Sequence, residues 1–351
     1  MDNNLIYTIY GNETIYNALK KLSTVTDVSK LILFVIDNKR KVIGSLTDGD
    51  IRRSLIINKN LNERTEKICN KNFKYILNST KFVDLNKLKK KNQSVKIIPV
   101  LDSKKELVDI IDLSKVKSIL PVDAFIMAGG RGKRLSPLTD KCPKPMLEIA
   151  GKPIIEHIID NLISYGVKNI YISLNYKGEI IKEYFGDGSK KKINIYYLNE
   201  NIPLGTAGSL SLVKEFENDK FILINGDLFT NINFEKMFLE MEDKKSKMVV
   251  ATKDYRVDVP YAILETNMNK VVSFREKPTY TFNSNAGIYM LESSLIEKIP
   301  KEKFFDITDL MDHLIQENIK LINVPISGYW FDIGRPDDYY KVCEFVKHFN
   351  F

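Results

Sequence analysis

The sequence predicts an α/β chain in two parts: an α+β region over residues 1–119, then residues 120–351 built on a mostly parallel sheet with helices on both faces. Three observations carry this. Strand-like and helix-like periods alternate after residue 145, a glycine-rich and cation-rich loop follows a short apolar strand at Ala124, and a segment of the first third recurs 65 residues later.

In the first part, Thr14 opens an amphipathic helix that runs to Leu22, and Leu31–Asp37 reads as a buried strand that returns through Asn38–Arg40 into Val42. Gly44–Arg53 then places Thr47 at a strand end and Asp50 at a helix start. A carboxylate there suits ribose hydroxyls, while a hydroxyl and helix N-terminal amides suit phosphate. The repeat is PVLDSKKELVDIIDLSKV (99–116), which aligns without gaps on FVIDNKRKVIGSLTDGDI (34–51), so the region divides at about residue 60. In the second copy Asp112, Leu113 and Lys115 replace Thr47, Asp48 and Asp50, which leaves its ligand corner in doubt. Residues 117–122 offer little length for a linker, so the two parts are expected to pack.

In the second part, AFIMAGGRGKRLSPLTDKCPKP (124–145) is a strand end, a glycine run and a set of cations, Arg131, Lys133, Arg134, Lys141 and Lys144. Backbone N–H groups of Ala128, Gly129, Gly130 and Gly132 approach an anion freely, and the cations offset charge on leaving oxygens. It is neither a Walker A loop, which needs G-x-x-x-x-G-K-[ST], nor a dinucleotide fingerprint, whose third glycine is missing. Downstream, 153–165 is helical in period, 169–174 a strand, 177–185 a helix and 193–198 a strand. Glu200 precedes a second glycine-rich helix start at Gly205 and Thr206, and its carboxylate matches the N1–H and exocyclic amine edge of guanine. Two aspartates, Asp227 after FILING and Asp332 after YWF, end apolar stretches and suit one Mg²⁺, which takes few carboxylates plus phosphate oxygens.

Bulk properties exclude several classes. The 351 residues are 44% hydrophobic with no run long enough to span a membrane and no signal peptide, which predicts a cytoplasmic protein. Cys69, Cys142 and Cys343 are too sparse for a disulfide framework or a zinc site. The net charge of +8 sits in clusters such as Lys89–Lys91 and Lys190–Lys192 without interleaved aromatics, which reads as solvated faces rather than a nucleic-acid surface. His157, His313 and His348 fall in helical segments with no shared spacing, and no Ser-His-Asp or Cys-His arrangement is present.

The glycine loop resembles the signature A-G-G-x-G-x-R-L-x-P-L-T…P-K-P of the sugar-1-phosphate nucleotidyltransferases, matched by Gly129, Gly130, Gly132, Arg134, Leu135, Pro137, Leu138, Thr139, Pro143, Lys144 and Pro145. P-L-G-T-A-G at 203–208, G-D at Asp227, E-K-P at Glu276–Pro278, N-A-G at Asn285 and W-x-D-x-G at Asp332 extend it. The first third resembles a CBS module, whose T-D-x-D corner is matched by Thr47, Asp48 and Asp50, in a tandem pair. The resemblance implies a Rossmann-like (GT-A-like) catalytic domain behind a regulatory or structural CBS pair, with an adenine nucleotide at the first corner and a homo-oligomer. It implies Mg²⁺ on Asp227 and Asp332, and the nucleotide along Ala128–Gly132, Glu200, Gly205 and Thr206. Arg134 and Lys144 would lie on the leaving phosphates, Lys277 on the sugar phosphate, and Glu276 and Asn285 on the sugar. Ala262, where many relatives carry glycine, would line the sugar site.

The fusion of a CBS pair to a compact transferase looks like the glucosamine-1-phosphate guanylyltransferases of the legionaminic acid route, which implies GTP and glucosamine 1-phosphate as substrates. Mannose- or heptose-1-phosphate guanylyl transfer, uridylyl transfer, and a catalytically inactive nucleotide sensor are the alternatives.

Overall fold

Two three-stranded sheets in the first part of the chain share one design. In the first, β1 (Thr8–Tyr10) runs parallel to β2 (Ile32–Ile36), which pairs antiparallel with β3 (Val42–Thr47). In the second, β4 (Ile76–Leu77), β5 (Ile97–Leu101) and β6 (Leu107–Asp112) repeat that order. The hairpins superpose in register at the offset of the sequence repeat: Ile32 faces Thr47 as Ile97 faces Asp112, and the ladder is irregular at Val35/Ile36 as at Val100/Leu101. Each turn residue, Arg40 and Lys105, is left-handed (φ 61° and 64°). The turns pair with one another through Val42 N–H to Lys105 O (3.2 Å) and Leu107 N–H to Arg40 O (3.0 Å), over a shared core of Phe34, Val42, Ile97, Leu101, Leu107 and Ile110. The computed structural model divides into two units, Met1–Ile119 and Leu120–Phe351, and describes residues 6–91 and 95–348.

The copies differ after the hairpin. Thr47 caps the helix Asp48–Asn58, whereas Asp112 is followed by a turn. Asp112 Oδ1 accepts from Ser114 N–H (3.0 Å) and Oγ (2.6 Å), and Lys30 Nζ donates to Oδ2 (2.8 Å).

In the second unit, long apolar runs become central strands buried on both faces: β7 (Asp123–Met127), β10 (Asn169–Leu174) and β12 (Lys220–Asn225), with β11 (Asn194–Asn199) at one edge. Between β7 and β10 lie the short hairpin β8 (Glu148–Ile149) and β9 (Lys152–Pro153) and the helix Ile154–Ser164, whose apolar stripe is buried. The seven-stranded sheet has the order β11-β10-β7-β12-β17-β14-β18, where β14 is Met248–Asp258, β17 is Thr279–Glu292 and β18 is Leu321–Pro325. Only β17 runs against the others. Beyond the core, β14 and β17 continue as an exposed ribbon that carries the hairpin β15 (Ile263–Asn267) and β16 (Lys270–Arg275). β13 (Leu228–Thr230) pairs with β19 (Trp330–Asp332) in a separate two-stranded sheet.

Two expectations need correction. Lys191 is not a solvated cation: its side chain, 24% exposed, pairs with Glu156 (2.7 Å) and Asp160 (2.6 Å) because the turn after the helix Gly178–Phe185 folds back on the helix Ile154–Ser164. His348 lies in a turn past the helix Pro336–Val346 rather than within it. The side chains of Lys89–Lys91 lie outside the described residues. No helix among the described residues is long and apolar enough to cross a membrane.

Candidate active site

The glycine loop leaves the carboxyl end of β7, between the ends of its neighbours β10 and β12, where open α/β sheets bind ligands. Ala128 N–H donates to Ser173 O (3.1 Å) and Gly226 N–H to Met127 O (2.9 Å), which anchors the loop on both sides. Gly129 lies against Glu200: a Cβ there would stand 2.9 Å from Glu200 Oε1. Glu200 follows β11 and is fixed by its own N–H to Leu174 O (2.8 Å), while its Oε2 accepts from Leu204 N–H (3.2 Å). Burial pushes its carboxyl above the ordinary value and the Leu204 amide only partly opposes this.

Gly132 is left-handed (φ 62°), a conformation that costs an L residue strain. Its carbonyl accepts from Thr139 Oγ1 (2.9 Å), so the loop folds back and brings Lys144 alongside. Gly130 is exposed, and a side chain there would meet nothing. Arg134 is exposed, and Arg131 lies 5.3 Å over the Tyr176 ring.

The second glycine segment is held by a residue that sequence reasoning missed. Thr206 N–H and Oγ1–H both donate to Asp306 Oδ1 (2.9 and 3.0 Å), and Thr206 Oγ1 accepts from Ile307 N–H (2.9 Å). Thr206 therefore has its hydroxyl committed to the start of the helix Ile307–Gln316. The Asp306-x-x-Asp309 capping pattern was the available signal.

Asp227 and Asp332 meet because β13 pairs with β19, so that Leu228 faces Asp332 and Ile333 N–H donates to Asp227 O (3.3 Å). Lys144 Nζ pairs with Asp227 Oδ2 and lies 3.9 Å from Asp332 Oδ1. Asp227 Oδ1 is buried with no partner. Crowding by the protein pushes the Asp332 carboxyl up, Asp227 adds to this, and Lys144 and Arg134 oppose it. An orphaned carboxylate oxygen beside a second carboxylate fits one divalent cation.

The remaining residues divide. Asn285 Oδ1 accepts from Gly287 N–H (3.0 Å), Gly287 packs on Asn225 at the end of β12, and Asn285 with Thr252 and Asn323 lines a cavity of about 300 Å³. Ala262, Glu276 and Lys277 stand exposed along the ribbon, with Lys277 left-handed (φ 40°). In the first unit, Thr47 N–H and Oγ1–H donate to Asp50 Oδ2 (2.9 and 2.6 Å), Arg53 holds Asp50 Oδ1 (2.5 Å) and Arg52 holds Asp48 (2.8 Å). The three corner residues thus come together already paired.

The mostly parallel sheet carries a glycine-rich loop at its carboxyl edge beside two apposed aspartates, and the chain belongs to the nucleotidyl transferase family, whose model matches residues 123–348. Residues 1–57 match the CBS domain. Among relatives, the chain is 34% identical over 233 residues to the bifunctional protein GlmU of Methanocaldococcus jannaschii, covering 64% of this chain and 54% of that protein, so it spans about half of such a relative's length. It is 31% identical to the D-glycero-alpha-D-manno-heptose 1-phosphate guanylyltransferase of Aneurinibacillus thermoaerophilus over 65% of this chain and 100% of the relative. A crystal structure of HddC from Yersinia pseudotuberculosis complexed with GMP-PN matches with TM-score 0.50 and 32% identity, over 64% of this chain and 98% of that one.

Proposed function

We propose that the protein transfers a nucleotidyl group from GTP to a sugar 1-phosphate, glucosamine 1-phosphate in the favoured reading, releasing pyrophosphate and GDP-glucosamine on a route to legionaminic acid. The observation that carries the transfer is the Lys144, Asp227 and Asp332 cluster beside the Gly129–Gly132 loop. A sugar phosphate oxygen is already a nucleophile, so no general base is needed, and positioning with charge stabilisation suffices. The loop amides hold the nucleotide phosphates, Arg134 and Lys144 take the charge that develops on the departing pyrophosphate, and Lys277 orients the attacking phosphate. Mg²⁺ on Asp227 and Asp332 would supply Lewis-acid stabilisation at the phosphate.

Guanine is favoured by the half-buried Glu200 carboxylate against Gly129, which accepts from N1–H and the exocyclic amine together, and by the guanylyltransferase named among the relatives. Asn285 and Glu276 bind the sugar, and the CBS pair binds an adenine nucleotide at Thr47, Asp48 and Asp50. Pyrophosphate release across a panel of NTPs and sugar 1-phosphates tests the reading. Turnover with GTP and glucosamine 1-phosphate is expected, and activity confined to UTP would refute the base assignment.

A further inference from the structure

Lys144 is the cation of the carboxylate pair as the chain stands. Its side chain is 11% exposed, its ammonium contacts Asp227 and reaches Asp332, and among the described residues no other ion pair involves either aspartate. Its backbone is held by Pro143 and Pro145 at the start of a short 3-10 turn, and a Cβ on Gly132 would lie 3.1 Å from its own Cβ. The four-carbon stem above that fixed base can swing. A divalent cation on the same two carboxylates would face the ammonium across a few ångströms, where like charges repel.

We infer that Lys144 is a resident counter-ion that competes with the divalent cation for Asp227 and Asp332, so that the cation settles only as Lys144 moves onto the nucleotide phosphates. Metal and nucleotide binding are thereby coupled, each raising the affinity for the other. Without nucleotide, Lys144 offsets one of the two carboxylate charges and the site binds metal weakly. This rests on reading Asp227 and Asp332 as metal ligands.

The test is Mn²⁺ binding to the full chain, followed by calorimetry and by the electron paramagnetic resonance of free Mn²⁺. Without nucleotide, Lys144→Gln is expected to bind Mn²⁺ about tenfold tighter or more than wild type, and Lys144→Arg to stay weak, because one repelling charge is removed in the first and kept in the second. Equal or weaker binding by Lys144→Gln overturns the inference. If that variant does not fold, Lys144→Ala is measured in the same way without nucleotide, and binding no tighter than that of wild type overturns the inference. Mn²⁺ binding that survives Asp227→Asn would instead refute the ligand reading itself.

Discussion

Gly129 and Glu200 approach so closely that a single methyl on the glycine would stand 2.9 Å from the Glu200 carboxylate oxygen. The contact joins the glycine-rich loop to the residue proposed to read the base, across two neighbouring strands, β7 and β10, and the turn that follows β11. Glu200→Gln keeps the shape but replaces one acceptor by a donor facing a guanine donor. An unpaired buried polar group costs about 1–3 kcal/mol, so kcat/KM for GTP should fall about tenfold or more while that for UTP changes little. Steady-state kinetics with both nucleotides checks this, and equal losses would remove Glu200 from base recognition.

Thr206 ties the second glycine segment to Asp306 and to the Ile307 amide. Thr206→Val removes the hydroxyl and leaves that amide without its acceptor, at a cost of about 1–2 kcal/mol in stability. Urea unfolding reads the loss. The KM for the nucleotide should rise with it, because the segment is no longer held.

The Lys30–Asp112 pair predicts a pH signature in the first unit. Burial disfavours the Asp112 carboxylate, but hydrogen bonds from Lys30 and Ser114 outweigh it and hold its pKa below the ordinary value. The Asp112 bond also raises the Lys30 pKa. A depressed carboxylate stabilises the fold above its unfolded pKa, and this is lost as pH falls through the folded one. A raised lysine stabilises below its unfolded pKa, and this is lost as pH rises through the folded value. Lys30→Met leaves Asp112 Oδ2 without its cation while Ser114 still holds Oδ1, and should cost about 2 kcal/mol at neutral pH. The penalty should shrink on acidification through the carboxylate range, as urea titrations between acid and neutral pH will show.

Much of this was legible in the residues. The gap-free repeat became two hairpins in the same register, because strand and turn chemistry are local and were copied together. The apolar runs at Phe125, Ile172 and Leu223 gave central strands for the same reason. What could not be read was long-range. That β17 runs antiparallel, that β13 meets β19 and so brings Asp227 to Asp332, and that Asp306 grips Thr206 all depend on pairings between segments about a hundred residues apart or on a crossover with no local mark. The sequence assigned Lys144 to the leaving phosphates by resemblance, whereas its contact with two distant aspartates had no local mark.

The assignment of Asp227 as a metal ligand for nucleotidyl transfer is the point on which the mechanism turns. Asp227→Asn preserves volume and removes the charge. With Mg²⁺, GTP and glucosamine 1-phosphate, pyrophosphate release by the folded variant should fall about a hundredfold or more, since several kcal/mol of transition-state stabilisation depend on that carboxylate. Turnover near that of the wild type would contradict it.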